Sequence, residues 1–169
     1  MTIGAGTERQ HTPTLEAYEA YLKGRHRLWT ITPESLQESR EYFRQAIAAD
    51  PKFAPAYTGL SHHYLSLAMF SLMSSHQAMP QMRANAERAL ELDPSLPDGH
   101  ALLGIVAALY EYDWTESARE FGIAMGREPV PPWVRNVYLI GQPLRDSPRW
   151  PALAKTMNLP QSELRNASS

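Results

Sequence analysis

Apolar residues recur at intervals of three and four along most of the chain, which predicts a succession of amphipathic helices. In the first segment the apolar stripe consists of Leu15, Tyr18, Leu22 and Trp29. Prolines divide the pattern into separate helices, because proline fits the first helical turn but cannot continue a helix that is already running. The first helix is therefore predicted to begin at Pro13, with Thr12 as its N-cap.

The same reasoning predicts further helices along the chain. The second is predicted to begin at Pro33, after the cap Thr32, and to run to Asp50. Its buried face is predicted to contain Leu36, Ser39, Phe43, Ala46 and Ile47. The third helix is predicted over 55–73, and the fourth is predicted to end at 93. The fifth is predicted over 97–109, and the sixth from the cap Asp113 to about 125. Two short helices are predicted beyond Pro129, over 133–141 and 147–157.

The predicted helix ends repeat. Three sets of residues share the successive spacings four, three and five: Ser39, Phe43, Ala46 and Pro51; Met82, Ala86, Ala89 and Pro94; Ser117, Phe121, Ala124 and Pro129. Alanine lets two helices approach closely, a larger residue one turn earlier fills the space behind it, and proline ends the helix. Internal repetition at this period is typical of helical arrays.

The first helices of successive pairs also agree in part. Tyr57, Leu60, Ser61 and Tyr64 follow the spacing W-x₂-L-G-x₂-Y, and His100, Leu103, Gly104 and Ala107 keep its leucine and glycine. On these motifs the sequence resembles the tetratricopeptide repeat family over residues 13–130. It is also similar to the repeat arrays of bacterial multidomain signalling proteins. The proline-to-proline distances are 43 and 35, against a usual repeat of about 34, and the excess falls in residues 69–80.

The resemblance implies an all-α fold, a right-handed superhelical solenoid of antiparallel helix pairs. About three repeats are expected, over 13–52, 53–95 and 96–130. Residues 131–160 are expected to cap the array, or to form a homodimer contact through 131–157, because their apolar side chains need cover. Residues 1–11 and 161–169 are expected to be disordered tails.

The resemblance also implies that a concave groove, lined by the first helix of each pair, binds a peptide or another protein. The groove positions implied in this sequence are Tyr21, Arg25, Leu28, Thr58, His62, Leu65, Ala101, Ile105 and Ala108. A clamp for the C-terminal carboxylates of chaperones would need lysine and asparagine, and Arg25 is the only cation in this set. An amphipathic helix or an extended apolar segment suits the lining better.

A second hypothesis is a regulatory sensor array. It would bind a small ligand in the groove and relay the binding to a linked signalling or DNA-binding domain. A closed pocket around Tyr21, His62 and Ile105 would favour the small ligand, whereas an open trough would favour a peptide.

Composition narrows the partners further. The chain has 169 residues, 43% of them apolar, with a net charge of −2 and no cysteine. A chain with this charge lacks the excess of basic residues that attracts nucleic acid or an anionic membrane, so neither is an expected partner. The longest apolar run, 101–110, is about half of a membrane span. We expect a cytoplasmic protein.

The residues that invite a catalytic interpretation have simpler explanations. His62 and His63 are adjacent, and neighbours on a helix point about 100° apart, so one metal site cannot easily use both. Asp113 with Glu116 three residues later predicts a capping box. The tryptophans Trp29, Trp114, Trp133 and Trp150 are predicted to be packing anchors. We therefore predict a protein without catalytic activity, metal or cofactor.

Overall fold

The computed structural model describes residues 11–126, and within that range the chain forms six α-helices and no strand. The helices are α1 (Leu15–Leu28), α2 (Pro33–Ala49), α3 (Ala54–Met69), α4 (Ser75–Leu92), α5 (Pro97–Val106) and α6 (Trp114–Met125). A π-helical turn, Ala107–Glu111, continues α5. The prediction of an all-α fold is confirmed for the described residues.

The start of α2 is the predicted one. Thr32 and Ser35 form a reciprocal capping box: the Ser35 N–H donates to Thr32 Oγ1 at 3.1 Å, and the Thr32 N–H donates to Ser35 Oγ at 2.9 Å. Pro33 follows at the first helical position, where its missing N–H would have had no helical partner.

The start of α1 differs from the prediction. Thr14, and not Thr12, caps the helix, since its side chain accepts a hydrogen bond from the Ala17 N–H at 3.2 Å. The Thr14 N–H donates in turn to the Asp50 carboxylate at 3.2 Å, and His11 Nε2 lies 2.7 Å from the same oxygen. The hydrogen bond from His11 lowers the pKa of Asp50. The predicted tail is thus ordered at His11, which fastens the start of α1 to the end of α2.

The connections inside the helix pairs each contain one residue in the left-handed region. These residues are Ile31, Ser71 and Tyr112, with φ of 52°, 57° and 57°. A residue with positive φ cannot continue a right-handed helix. Consistent with this, α3 ends at Met69, before the predicted position 73. The helical path of α5 continues past the predicted position 109, as regular α-helix to Val106 and then as the π-helical turn to Glu111, directly before Tyr112.

The helices pack in chain order. The closest partners are α1 with α2, α3 with α4, and α5 with α6, and each pair then packs against the next through α2 with α3 and α4 with α5. The odd-numbered helices also touch one another, α1 against α3 and α3 against α5. Side chains from α1, α3 and α5 can therefore share one face of the protein.

The first three residues of each repeating set lie in the core, whereas Pro51 and Pro94, which follow the helices, are exposed. Buried members of the three sets are Ser39, Phe43, Ala46, Met82, Ala86, Ala89, Ser117, Phe121 and Ala124. Their burial explains the repeat: α2, α4 and α6 each turn the same positions toward the interior.

Glycine faces an aromatic ring in two of the helix pairs. Gly24 of α1 faces Phe43 of α2, and Gly104 of α5 faces Phe121 of α6. A Cβ atom at Gly24 would lie 2.8 Å from the Phe43 ring, and one at Gly104 would lie 3.1 Å from the Phe121 ring. Glycine therefore stands where the opposite residue is aromatic.

The apolar stripe of α1 faces outward, contrary to the expectation that apolar spacing marks the core. Its exposed members are Leu15, Tyr18, Leu22 and Trp29. The buried face of α1 consists instead of Ala17, Ala20 and Gly24, small residues that allow α2 to approach closely. The prediction that Trp29 is a packing anchor was wrong.

Several predictions fall outside the described residues. They are the helices of 131–160, the dimer contact of 131–157, the tails 1–10 and 161–169, and the roles of Trp133 and Trp150. Among the residues that the structure describes, none of the helices is both long and apolar enough to span a bilayer.

The buried carboxylate of Glu120 fastens α6 to α5 through a hydrogen bond to a histidine. His100 Nδ1 lies 2.6 Å from Glu120 Oε2, and His100 Nε2 lies 3.0 Å from the Pro94 carbonyl oxygen. We predict that Glu120→Gln lowers the free energy of unfolding by about 1.5–3 kcal/mol, the usual contribution of a hydrogen bond to a charged group. Urea denaturation at pH 7 measures it.

The matched control is Glu91→Gln. Glu91 forms an ion pair with Arg88 at 2.6 Å, but its side chain is 63% exposed, and exposed pairs contribute little. Equal losses for Glu120→Gln and Glu91→Gln would contradict the structural role of the buried hydrogen bond.

Candidate functional site

Four polar side chains from the three odd-numbered helices form two contacting pairs, and the charge of one pair acts on the other; we call the four residues the polar cluster. They are Tyr21 and Arg25 of α1, His62 of α3 and Asp98 of α5. The Arg25 guanidinium lies over the Tyr21 ring, 5.7 Å from its centroid. His62 Nε2 lies 3.6 Å from Asp98 Oδ2. The cluster thus joins helices from all three pairs.

Burial and two charged residues change the pKa of the Tyr21 hydroxyl. Burial raises the pKa of Tyr21, the positive charge of Arg25 works against that rise, and the negative charge of Asp98 adds to it. Asp98 therefore lies near Tyr21 although 77 positions separate them in sequence. A neutral phenol at neutral pH keeps its proton for donation to a carboxylate or a ligand oxygen.

Aromatic packing fixes the position of Tyr21. Its ring lies 5.2 Å from the Phe53 ring in an edge-on arrangement and 6.1 Å from the Phe43 ring. Such pairs hold rings in a defined orientation. Arg25 lies one helical turn after Tyr21, and its guanidinium packs over the Tyr21 ring. The fixed ring therefore also positions Arg25.

Asp98 has one oxygen without a partner. Its Oδ2 faces His62, but the buried Oδ1 makes no hydrogen bond within residues 11–126. A buried acceptor left unpaired costs about 1–3 kcal/mol. Asp98 also lies in the first turn of α5, where the helix dipole favours its negative charge.

The predicted groove residues divide into two groups. Tyr21, Arg25, Leu28, His62 and Leu65 keep part of their surface accessible. Thr58, Ala101, Ile105 and Ala108 are buried. The second group corrects the predicted lining, because buried side chains cannot contact a partner in this structure.

The burial of this second group has a local cause in each helix. Ala101 and Ile105 belong to a hydrophobic cluster with residues of α4 and α6. The Thr58 hydroxyl donates to the Pro55 carbonyl of its own helix at 3.0 Å. Asp98 was missed, yet it lies three residues before Ala101, on the same helical stripe, and extending that stripe by one turn would have found it.

A separate cleft lies between α1 and α2. Its volume is about 580 Å³, and its lining is Glu16, Glu19, Ala20, Lys23, Gln45, Ala48 and Ala49. None of the predicted groove residues belongs to it.

His63 lies in the interior of the protein. It is buried between α2 and α3, with its Nδ1 at 3.5 Å from Ser39 Oγ. Burial first, and the charge of Arg40 second, lower its pKa to about 4. His62 and His63 thus point to different surroundings, as their adjacency in a helix requires. Within residues 11–126 no group of three or more acidic, histidine or cysteine side chains is arranged to hold a metal ion.

Asp113 and Glu116 form half of the predicted capping box. Asp113 Oδ1 accepts from the Glu116 N–H at 2.9 Å, as expected. The Glu116 carboxylate does not return a bond to Asp113; it binds Arg83, with one N–O distance of 3.1 Å, and Arg83 also contacts Glu87 and Glu111. The prediction of a reciprocal capping box was wrong because Arg83 of α4 competes for Glu116.

No family model matches the chain. Over 97 residues the chain is 30% identical to the transcriptional regulator HilA of Salmonella typhimurium and to that of Salmonella typhi. It is 29% identical over the same length to HilA of Salmonella paratyphi A. The matched stretch is 57% of this chain but only 18% of each relative. The similarity therefore concerns a small part of those regulators.

Proposed function

We propose that the chain is a non-catalytic protein-binding module of the tetratricopeptide repeat type, in which helix pairs form a right-handed superhelical solenoid. The observation that carries this proposal is the polar cluster, to which α1, α3 and α5 each contribute on one face. The contacts of α1 with α3 and of α3 with α5 support it, because a solenoid places its first helices side by side along the concave surface.

The cluster offers complementary groups for a peptide backbone. The exposed guanidinium of Arg25 can donate to a peptide carbonyl or carboxylate, while the partly exposed carboxylate of Asp98 can accept from a peptide N–H. The partly exposed Leu65 and the Tyr21 ring supply apolar surface nearby. An extended segment with alternating donors and acceptors fits this arrangement. The proposal requires neither a metal nor a cofactor.

The second candidate is a sensor array within a regulatory protein. The similarity to transcriptional regulators favours a regulatory setting, and such a setting fits a cytoplasmic protein. In this version the polar cluster holds a small ligand, and the helix pairs relay its binding to a linked domain. The same residues would carry both functions, so the experiment must compare the two kinds of ligand.

We propose a selection of displayed random peptides against the full chain, followed by fluorescence anisotropy with the selected peptides. Arg25→Glu and Asp98→Asn are expected to weaken binding about tenfold or more, since each removes a polar contact to the peptide. Arg44→Glu is the matched control, because Arg44 is an exposed arginine of α2, near Glu41. It should leave the affinity unchanged.

Two results would contradict the peptide proposal. One is equal loss of affinity in Arg44→Glu and Arg25→Glu, which would indicate general electrostatic attraction. The other is the absence of any selected peptide together with a small molecule that raises the melting temperature of the wild type but not of Asp98→Asn, which would support the sensor.

A further inference from the structure

Helix α1 and its C-cap Trp29 present a row of large, partly or mostly exposed apolar side chains, of which Tyr18 also lies near the Phe53 ring, with 6.4 Å between the ring centroids. The exposed fractions are 73% for Leu15, 46% for Tyr18, 44% for Leu22 and 71% for Trp29. Single exposed apolar residues are ordinary, but a row of large side chains along one helix marks an interaction surface. We call these four residues the α1 stripe.

The α1 stripe is symmetric about its centre. Leu15, Leu22 and Trp29 follow one another at intervals of seven, the spacing at which side chains of a helix line up along a partner helix. If a second α1 runs antiparallel to the first, Leu22 meets Leu22 of the other copy, and Leu15 at one end meets Trp29 at the other. The stripe is thus complementary to itself.

The charged residues of α1 are also placed so that opposite charges would meet in a pair of antiparallel α1 helices. Its first half carries Glu16 and Glu19, and its second half carries Lys23, His26 and Arg27. Glu19 and Lys23 are four residues apart and flank the same side of the stripe, since both also line the cleft beside α2. In an antiparallel pair, Glu19 of each copy approaches Lys23 of the other. A parallel pair would oppose like charges.

We propose that two copies of this chain associate through the α1 stripe, with the two α1 helices antiparallel about a two-fold axis at Leu22. A two-fold interface uses the same patch on both subunits, and a self-complementary helix meets that condition. The stripe contains none of the four residues of the polar cluster, although Tyr21 and Arg25 lie on the same helix.

The length of α1 limits how tightly the two copies are expected to bind each other. With 14 residues it is about 21 Å long, so the contact falls below the roughly 1,200 Å² of stable interfaces. We therefore expect a reversible dimer with a dissociation constant in the micromolar range.

Sedimentation equilibrium of the full chain, from low to high micromolar concentration, tests the proposal. The wild type should approach the dimer mass as concentration rises. Leu22→Glu should stay monomeric over the whole range, because the substitution places two carboxylates on the axis. Leu109→Glu is the control: Leu109 is also exposed, at 58% against 44% for Leu22, but lies in the π-helical turn after α5, and this variant should dimerise like the wild type.

A charge exchange tests the antiparallel arrangement. Glu19→Lys and Lys23→Glu should each weaken the dimer severalfold, because each brings like charges together across the axis. The double variant should recover most of the wild-type affinity, since the exchanged charges are complementary again. Circular dichroism checks that each variant is folded.

Three outcomes would overturn the proposal. They are a wild type that remains monomeric at every concentration, dimerisation of Leu22→Glu equal to that of the wild type, and a double charge variant that is no stronger than the singles. The second outcome would assign self-association to another part of the chain, such as residues 131–157.

Discussion

Phe43→Ala is expected to lower the free energy of unfolding by about 3–5 kcal/mol. The Phe43 ring is fully buried, and it lies between Gly24 of α1 and Gly59 of α3. A Cβ atom on Gly59 would approach the ring to 2.5 Å, which shows how completely the ring fills the space. Removal of the ring leaves a cavity where three helices meet. Urea denaturation of wild type and variant measures the loss.

The matched control is Phe70→Ala. Phe70 follows α3 and is about half exposed, so its truncation is expected to cost less than about 0.5 kcal/mol. Phe43→Ala should also disturb the polar cluster, because Tyr21 rests against the Phe43 ring. If Phe43→Ala lowers the free energy of unfolding by less than about 1 kcal/mol, the Phe43 ring does not fill the space between the three helices as the structure indicates.

The second large effect is a loss of stability in acid that depends on His63. Burial lowers the pKa of His63 to about 4 in the folded protein, whereas an unfolded histidine has a pKa of about 6.5. Between these values the unfolded state binds more protons than the folded state, so stability falls as the pH decreases from about 6.5 to about 4. The full difference corresponds to about 3 kcal/mol.

Denaturation curves at a series of pH values measure the effect. His63→Leu is expected to flatten the dependence between pH 6.5 and 4, because leucine has no proton to bind. The control is His26→Leu, since His26 is exposed on α1 and its removal should leave the pH dependence unchanged. A dependence that is the same in wild type and His63→Leu would show that other groups cause the acid sensitivity.

Repetition in the sequence predicted much of the core. The spacing of Ser39, Phe43 and Ala46 recurs in α4 and α6, and all of the repeated side chains are buried. The repeated spacing predicted burial correctly here because the same packing requirement applies in each of three helices. For a single helix, periodicity alone was insufficient: α1 has one stripe of large apolar residues and one of small residues, and the small residues around Ala20 form the buried face.

The candidate site depended on contacts that a sequence does not display. Tyr21, Arg25 and His62 were found by the family resemblance, but Asp98 was not, because its nearness to His62 arises from the packing of α3 against α5. Glu116 illustrates the same limit. Its local partner is determined by sequence spacing, yet its carboxylate binds Arg83 of another helix.

The most direct test of the binding face is an amide NMR titration of the full chain with a selected peptide. The account predicts that the largest shifts occur together in α1, α3 and α5, at and around Tyr21, Arg25, His62 and Asp98, and that they disappear in Arg25→Glu. Shifts confined to α2, α4 and α6, with the polar cluster unchanged, would contradict it.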